Sequence, residues 1–116
     1  MPGPLPLFPL GMVLFPGLVL PLHVFEDRYR ALIRDLLELP EDERRFGVVA
    51  IRAGREVGGD GVTALHEVGC TAQLRQVETY EDGRADVVTV GTDRFRLTTL
   101  HDDKPYFTAD VEWLPE

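Results

Sequence analysis

Apolar residues run almost unbroken from Leu5 to Leu22, recur at helical spacing as far as Leu37, and alternate with polar residues through much of the remainder. The first stretch would be long enough to suggest a membrane span. However, Pro4, Pro6, Pro9, Pro16 and Pro21 each remove a backbone donor and break a helix. It also lacks the basic start of a secretory signal, because the first Lys or Arg is Arg28. Its pattern predicts extended chain buried on both sides, as short strands with a turn at Pro16-Gly17.

From Phe25 the intervals change. Phe25, Tyr29, Leu32, Ile33, Leu36 and Leu37 form an apolar helical stripe, with Glu26, Asp27, Arg30, Arg34 and Glu38 on the other face. Glu26 and Asp27 suit the first turn of the helix, and Pro40 ends the element. Glu26–Arg30 and Arg34–Glu38 have i,i+4 spacing, worth a few tenths of a kcal/mol at most. The expected cap position has no Ser, Thr, Asp or Asn, so packing must hold the start of the helix.

Beyond Phe46 the chain reads as strand and turn. Phe46 to Arg52 is a short apolar strand, and Gly58-Gly59-Asp60-Gly61 is a turn. Cys70, Ala72 and Leu74 then alternate with Thr71, Gln73 and Arg75. Val77 falls on the opposite parity, which predicts a bulge near Gln76. Glu81-Asp82-Gly83-Arg84 supplies an Asp-Gly hairpin turn. Ala85 to Leu100 makes a long return bent at Gly91, with Phe95 and Leu97 on one face and Arg94 and Arg96 on the other. A last strand is expected to point Phe107, Ala109, Val111 and Trp113 inward, and Thr108, Asp110 and Glu112 outward. The fold class is α+β: a curved, mostly β antiparallel sheet closing toward a barrel, with one amphipathic helix packed on it.

Composition narrows the function. A chain of 116 residues fits one domain, 1–116, and its single cysteine, Cys70, forbids an internal disulfide. With no export signal in view, the expected setting is cytoplasmic. The net charge of −8 repels phosphate backbones, and the arginines are scattered among carboxylates. Neither nucleic acid nor membrane is an expected partner.

The landmarks Pro6-Leu-Phe-Pro-Leu, Val13-Leu-Phe-Pro-Gly, Leu20-Pro-Leu-His-Val-Phe-Glu and Arg28-Tyr-Arg are followed by Phe46-Gly-Val, Gly69-Cys-Thr-Ala, Asp82-Gly-Arg and Gly91-Thr-Asp-Arg-Phe-Arg-Leu. In that order and spacing the chain resembles the LON N-terminal domain, the substrate-recognition module of ATP-dependent Lon proteases, which also occurs in stand-alone proteins. The resemblance implies a PUA-like pseudo-barrel and a role in holding unfolded or damaged polypeptides, with self-association left open. It also implies that the protease machinery lies elsewhere. There is no G-x-x-x-x-G-K-[ST] motif, Lys104 is the one lysine, and no serine is present. The chain is therefore expected not to be an enzyme and to need no cofactor.

Other chemistry is weaker. His23 with Glu26, or His66 with Cys70, falls short of the four ligands of a structural zinc site, so no metal is expected. His23 is expected to tether the junction between sheet and helix, and Cys70 to be a small core residue. Arg94 and Arg96 could grip a carboxylate or an RNA phosphate, and an RNA-binding PUA-like module is the alternative reading. Pairing with acidic neighbours on the outer sheet face fits this acidic chain better. Phe25 and Tyr29 are expected in the core. The apolar N-terminal segment exceeds what a small interior can bury, and Phe15, Pro16, Gly17 and Leu18 are the candidate protein-binding residues.

Overall fold

The computed structural model describes residues 4–51 and 65–115, with side chains left aside at 51 and 65–67. The predicted turn at Gly58–Gly61 and the side chain of His66 lie outside that description. Among the described residues, six strands and one α-helix follow in order: β1 (Leu5–Leu10), β2 (Val19–Val24), α1 (Asp27–Leu37), β3 (Arg45–Ile51), β4 (Leu65–Thr79), β5 (Ala85–His101) and β6 (Thr108–Trp113). A single 3-10 turn, Glu41–Glu43, joins α1 to β3.

The strands form one sheet in the order β2-β5-β4-β3-β1-β6, and β6 also pairs with β5. That second pairing closes β5, β4, β3, β1 and β6 into the expected pseudo-barrel. Among the described residues five of the six strand pairings are antiparallel, but β1 runs parallel to β3, with Leu7 opposite Gly47. The crossover through β2 and α1 brings the chain back in the same direction, which a parallel pair requires.

Strand β5 is the organising element because one of its edges serves two partners. Residues 85–90 pair with β2, and residues 95–101 pair with β6. Gly91 stands at the change of partner. On the other edge, β4 shifts register between Leu74 and Gln76, the bulge that the parity slip at Val77 predicts. The Asp82-Gly83 turn joins β4 to β5, with Gly83 at φ 92°.

Apolar side chains pack on both faces of the sheet. Leu5, Leu7, Val49, Phe95 and Ala109 fill the barrel interior. Phe8, Phe46, Val48, Cys70, Ala72 and Val87 meet Ala31, Leu32, Ile33 and Leu36 of α1 on the opposite face. Strand β1 sends side chains to both clusters, which accounts for its nearly continuous hydrophobicity.

Helix α1 is tied down by side chains as well as by burial. Tyr29 stacks on Phe8 with ring centroids 4.1 Å apart. The Tyr106 hydroxyl donates to Asp35, and Arg30 donates to the Asp82 carbonyl at 2.7 Å. Arg44 donates to the carbonyls of Leu39 and Leu37, covering acceptors left open at the helix end. The N-cap, Glu26, makes no side-chain capping bond, as the absence of a good capping residue foretells. Arg30 meets Asp27 rather than Glu26, because Glu26 lies outside the helical turns.

Two burial expectations are corrected. Phe25 precedes the helix and is 59 % exposed, so it is not part of the packed stripe. In β6, Thr108 is buried and Trp113 is 45 % exposed. Thr108 lies between β1 and β5, paired with Pro6 on one side and His101 on the other. Trp113 lies at the strand end, edge-on to Phe95 and under the Arg45 guanidinium.

Candidate functional site

The segment between β1 and β2 is where the apolar chain fails to find an interior. Phe15-Pro16-Gly17-Leu18 makes a tight turn closed by the Leu18 N–H donating to the Phe15 carbonyl at 3.1 Å. Pro16 fixes φ at the first central position, and Gly17, at φ 86°, supplies the positive φ that the second requires. Gly17 then donates to the Gly91 carbonyl at 2.8 Å, while the Gly91 N–H donates to the Leu18 carbonyl at 2.9 Å. Two residues therefore oppose one, a glycine-led bulge that locks the turn onto β5.

Gly91 is needed there for close approach. A Cβ at this position would overlap the Phe15 carbonyl oxygen and press on Leu14 at 3.2 Å. Leu14, 4 % exposed, enters the core beside it and anchors the loop. With that anchor set, Met12, Val13, Phe15, Leu18 and Val19 are left in solvent. Phe15 is 56 % exposed, although fully burying such a side chain stabilises a fold by about 1.5–3 kcal/mol. Five large apolar side chains in eight consecutive residues are thus exposed. Isolated exposed residues would call for no explanation, but a run of this kind on a folded protein does. The structure thus brings Phe15, Pro16, Gly17 and Leu18 together and exposes all four. Met12, Val13 and Val19 join them, which the sequence reading did not single out.

Strand β2 continues from this patch. Leu20 and Val24 face the core, while Val19, Pro21 and His23 face outward, followed by exposed Phe25. His23 Nδ1 lies 2.6 Å from Asp86, and the Tyr80 hydroxyl donates to the same carboxylate. These two hydrogen bonds hold the Asp86 carboxyl below the usual carboxylate range. The same contact to Asp86 raises the Tyr80 phenol. His23 thus tethers β2 to β5 rather than the sheet to the helix, because its direct cross-strand neighbour is Asp86.

The remaining candidates are structural. Cys70 is buried, and desolvation pushes its thiol upward, away from nucleophilic use. Arg96 faces Glu112 across the β5–β6 ladder at 3.8 Å, in keeping with pairing on the outer face. Among the described residues, no group of three or more His, Cys, Asp and Glu side chains is placed to hold a metal ion. Among the same residues, no helix is long and apolar enough to cross a membrane.

Comparison with known proteins places this geometry. The family described as the ATP-dependent protease La (LON) substrate-binding domain matches residues 4–116. The chain is 35 % identical over 112 residues to a Lon protease of Anaeromyxobacter dehalogenans, covering 96 % of this chain and 13 % of that protein. It is 30 % identical over 117 residues to a Lon protease of Flavobacterium johnsoniae, covering 100 % of this chain and 14 % of that one. It thus spans only a small part of these relatives. Among solved structures, the Lon N-terminal domain protein from Xanthomonas campestris superposes with a TM-score of 0.76 at 31 % identity, covering 97 % of this chain and 60 % of that one. The N-terminal domain of Mycobacterium avium complex Lon protease shares the fold, with a TM-score of 0.70 at 18 % identity, covering 98 % and 56 % of the two chains. The chain therefore belongs to the ATP-dependent protease La (LON) substrate-binding domain family.

Proposed function

We propose that residues 1–116 form one domain, itself without catalytic activity, that captures unfolded or damaged polypeptides on the apolar patch around Phe15, Pro16, Gly17 and Leu18. The observation that carries this reading is the exposure of Met12, Val13, Phe15, Leu18 and Val19 beside a buried, anchoring Leu14. Apolar side chains are buried in a folded protein and presented in an unfolded one, so such a surface distinguishes the two without reading a particular sequence. Micromolar binding requires about 8 kcal/mol, and three or four anchors of about 2 kcal/mol each supply most of it.

The expected setting is cytoplasmic, and the names of the relatives suggest a protease that acts on what this domain holds. The RNA-binding alternative is disfavoured by the net charge of −8 and by the pairing of Arg96 with Glu112. Titrating one model protein in its folded and permanently unfolded forms tests the reading. Saturable micromolar binding of the unfolded form alone is expected. Equal indifference to both forms would overturn it.

A further inference from the structure

The backbone of β2 carries a second recognition element. On one edge it pairs with β5, whereas among the described residues no strand pairs with its other edge. The phase of the ladder shows which groups are left over. Leu18 and Gly91 are joined by a hydrogen bond from the Gly91 N–H to the Leu18 carbonyl. In an antiparallel ladder the bonded positions alternate, so Leu20, Leu22 and Val24 turn toward β5, while Val19, Pro21 and His23 turn their N–H and C=O groups away. Pro21 agrees with this phase, since a residue without an N–H is tolerated where none is needed for the sheet. The free edge therefore offers the N–H groups of Val19 and His23 and the carbonyls of Val19, Pro21 and His23.

Taking the polypeptide-binding reading as its basis, we infer that the β2 edge binds its client as an added strand: an extended segment with alternating apolar residues and a basic residue at one end. Main-chain bonds to Val19, Pro21 and His23 would align it. Its apolar side chains would lie beside Val19, Pro21 and Phe25 on the outer face, continuous with Phe15 and Leu18. The charge preference follows from the far end of the strand. There Glu26, Asp27, Asp82 and Asp86 are exposed, four carboxylates against the guanidinium groups of Arg28, Arg30 and Arg84, in a chain of net charge −8.

A second copy of this chain is a poorer occupant. Antiparallel pairing of β2 with itself, centred on its middle, sets Pro21 against Pro21 without a donor on either side. It also brings together two bodies of the same strong charge.

The test uses a fluorescent ten-residue peptide of alternating Val and Thr ending in Lys-Arg, N-methylated on alternate amides in one phase or the other. Fluorescence anisotropy should show one methylated phase binding about tenfold more weakly than the unmodified peptide, with the other phase close to it. Val19→Pro removes one outward donor at a non-hydrogen-bonded position of the β2–β5 ladder, and should weaken binding about fivefold while the melting temperature holds. Exchanging Lys-Arg for Glu-Glu should weaken binding further, and added salt should shrink that difference. Equal binding of both methylated phases would overturn the added strand while leaving an apolar patch that binds polypeptide. A dimer in sedimentation that Val19→Pro dissociates would also overturn it, by assigning the edge to a second copy. Failure to bind both the peptide and unfolded proteins would instead sink the polypeptide-binding reading.

Discussion

Helix α1 and the segment from Met12 to Val19 each carry several large apolar residues, and these meet opposite fates. The helix directs Ala31, Leu32, Ile33 and Leu36 onto the sheet and is fastened by Tyr106–Asp35, Arg30–Asp82 and the Arg44 cover of its last carbonyls. The turn is held by Leu14, its own Leu18–Phe15 bond and the paired bonds at Gly91, and its remaining large apolar side chains are exposed. Hydrophobicity therefore stabilises the fold in one region and is withheld from it in the other. Of the large apolar side chains from Met12 to Val19, Leu14 alone joins a buried cluster.

The sharpest way to break this comparison is to truncate both regions and see which one unfolds the chain. Leu32→Ala empties a fully buried position and should cost about 2–5 kcal/mol, lowering the melting temperature by more than about 10 °C in a calorimetric scan. Gly91→Ala joins the two regions. Its methyl would displace the Phe15 carbonyl, costing about 1–3 kcal/mol and moving the turn, so client affinity should fall along with stability.

Alkaline pH sharpens the contrast on the helix side. Burial and the neighbouring Asp35 carboxylate raise the Tyr106 phenol well above its ordinary value, and burial raises Tyr29 in the same direction. The folded state then keeps protons that the unfolded chain releases above about pH 10. Stability from these groups is complete below that value and is lost as pH rises through it toward the folded pKa. Tyr106→Phe should cost about 1 kcal/mol at neutral pH and flatten the decline in melting temperature between pH 9 and 11. The smallest effect is expected at the patch itself: Phe15→Ser with Leu18→Ser should change stability by no more than about 0.5 kcal/mol per site.

Much of this contrast is legible in the sequence because it depends on local rules. Prolines forbid a helix before residue 22, Pro16-Gly17 writes a turn, and the parity slip at Val77 announces the bulge beside Gln76. The apolar excess that makes Phe15 and Leu18 candidates is also visible without coordinates. What escapes is non-local. That β2 pairs with β5 more than 60 residues away determines that His23 meets Asp86, that Gly91 receives the turn, and that among the described residues no strand pairs with the other edge of β2. The parallel pairing of β1 with β3 is hidden for the same reason. Phe25 misleads because its spacing from Tyr29 is helical, although the helix begins only after Glu26. Thr108 and Trp113 defeat simple alternation because β6 has β1 on its second edge only at its start, so Thr108 is enclosed on both sides and Trp113 is not.

The central claim is that the uncovered apolar turn serves binding and contributes little to stability. It is tested most directly by titrating a permanently unfolded protein against the unaltered chain and the Phe15→Ser, Leu18→Ser double variant, with a melting curve for each. The account predicts at least about a tenfold loss of affinity, from two anchors of about 2 kcal/mol each, at a nearly unchanged melting temperature. Undiminished binding by a folded double variant would contradict it.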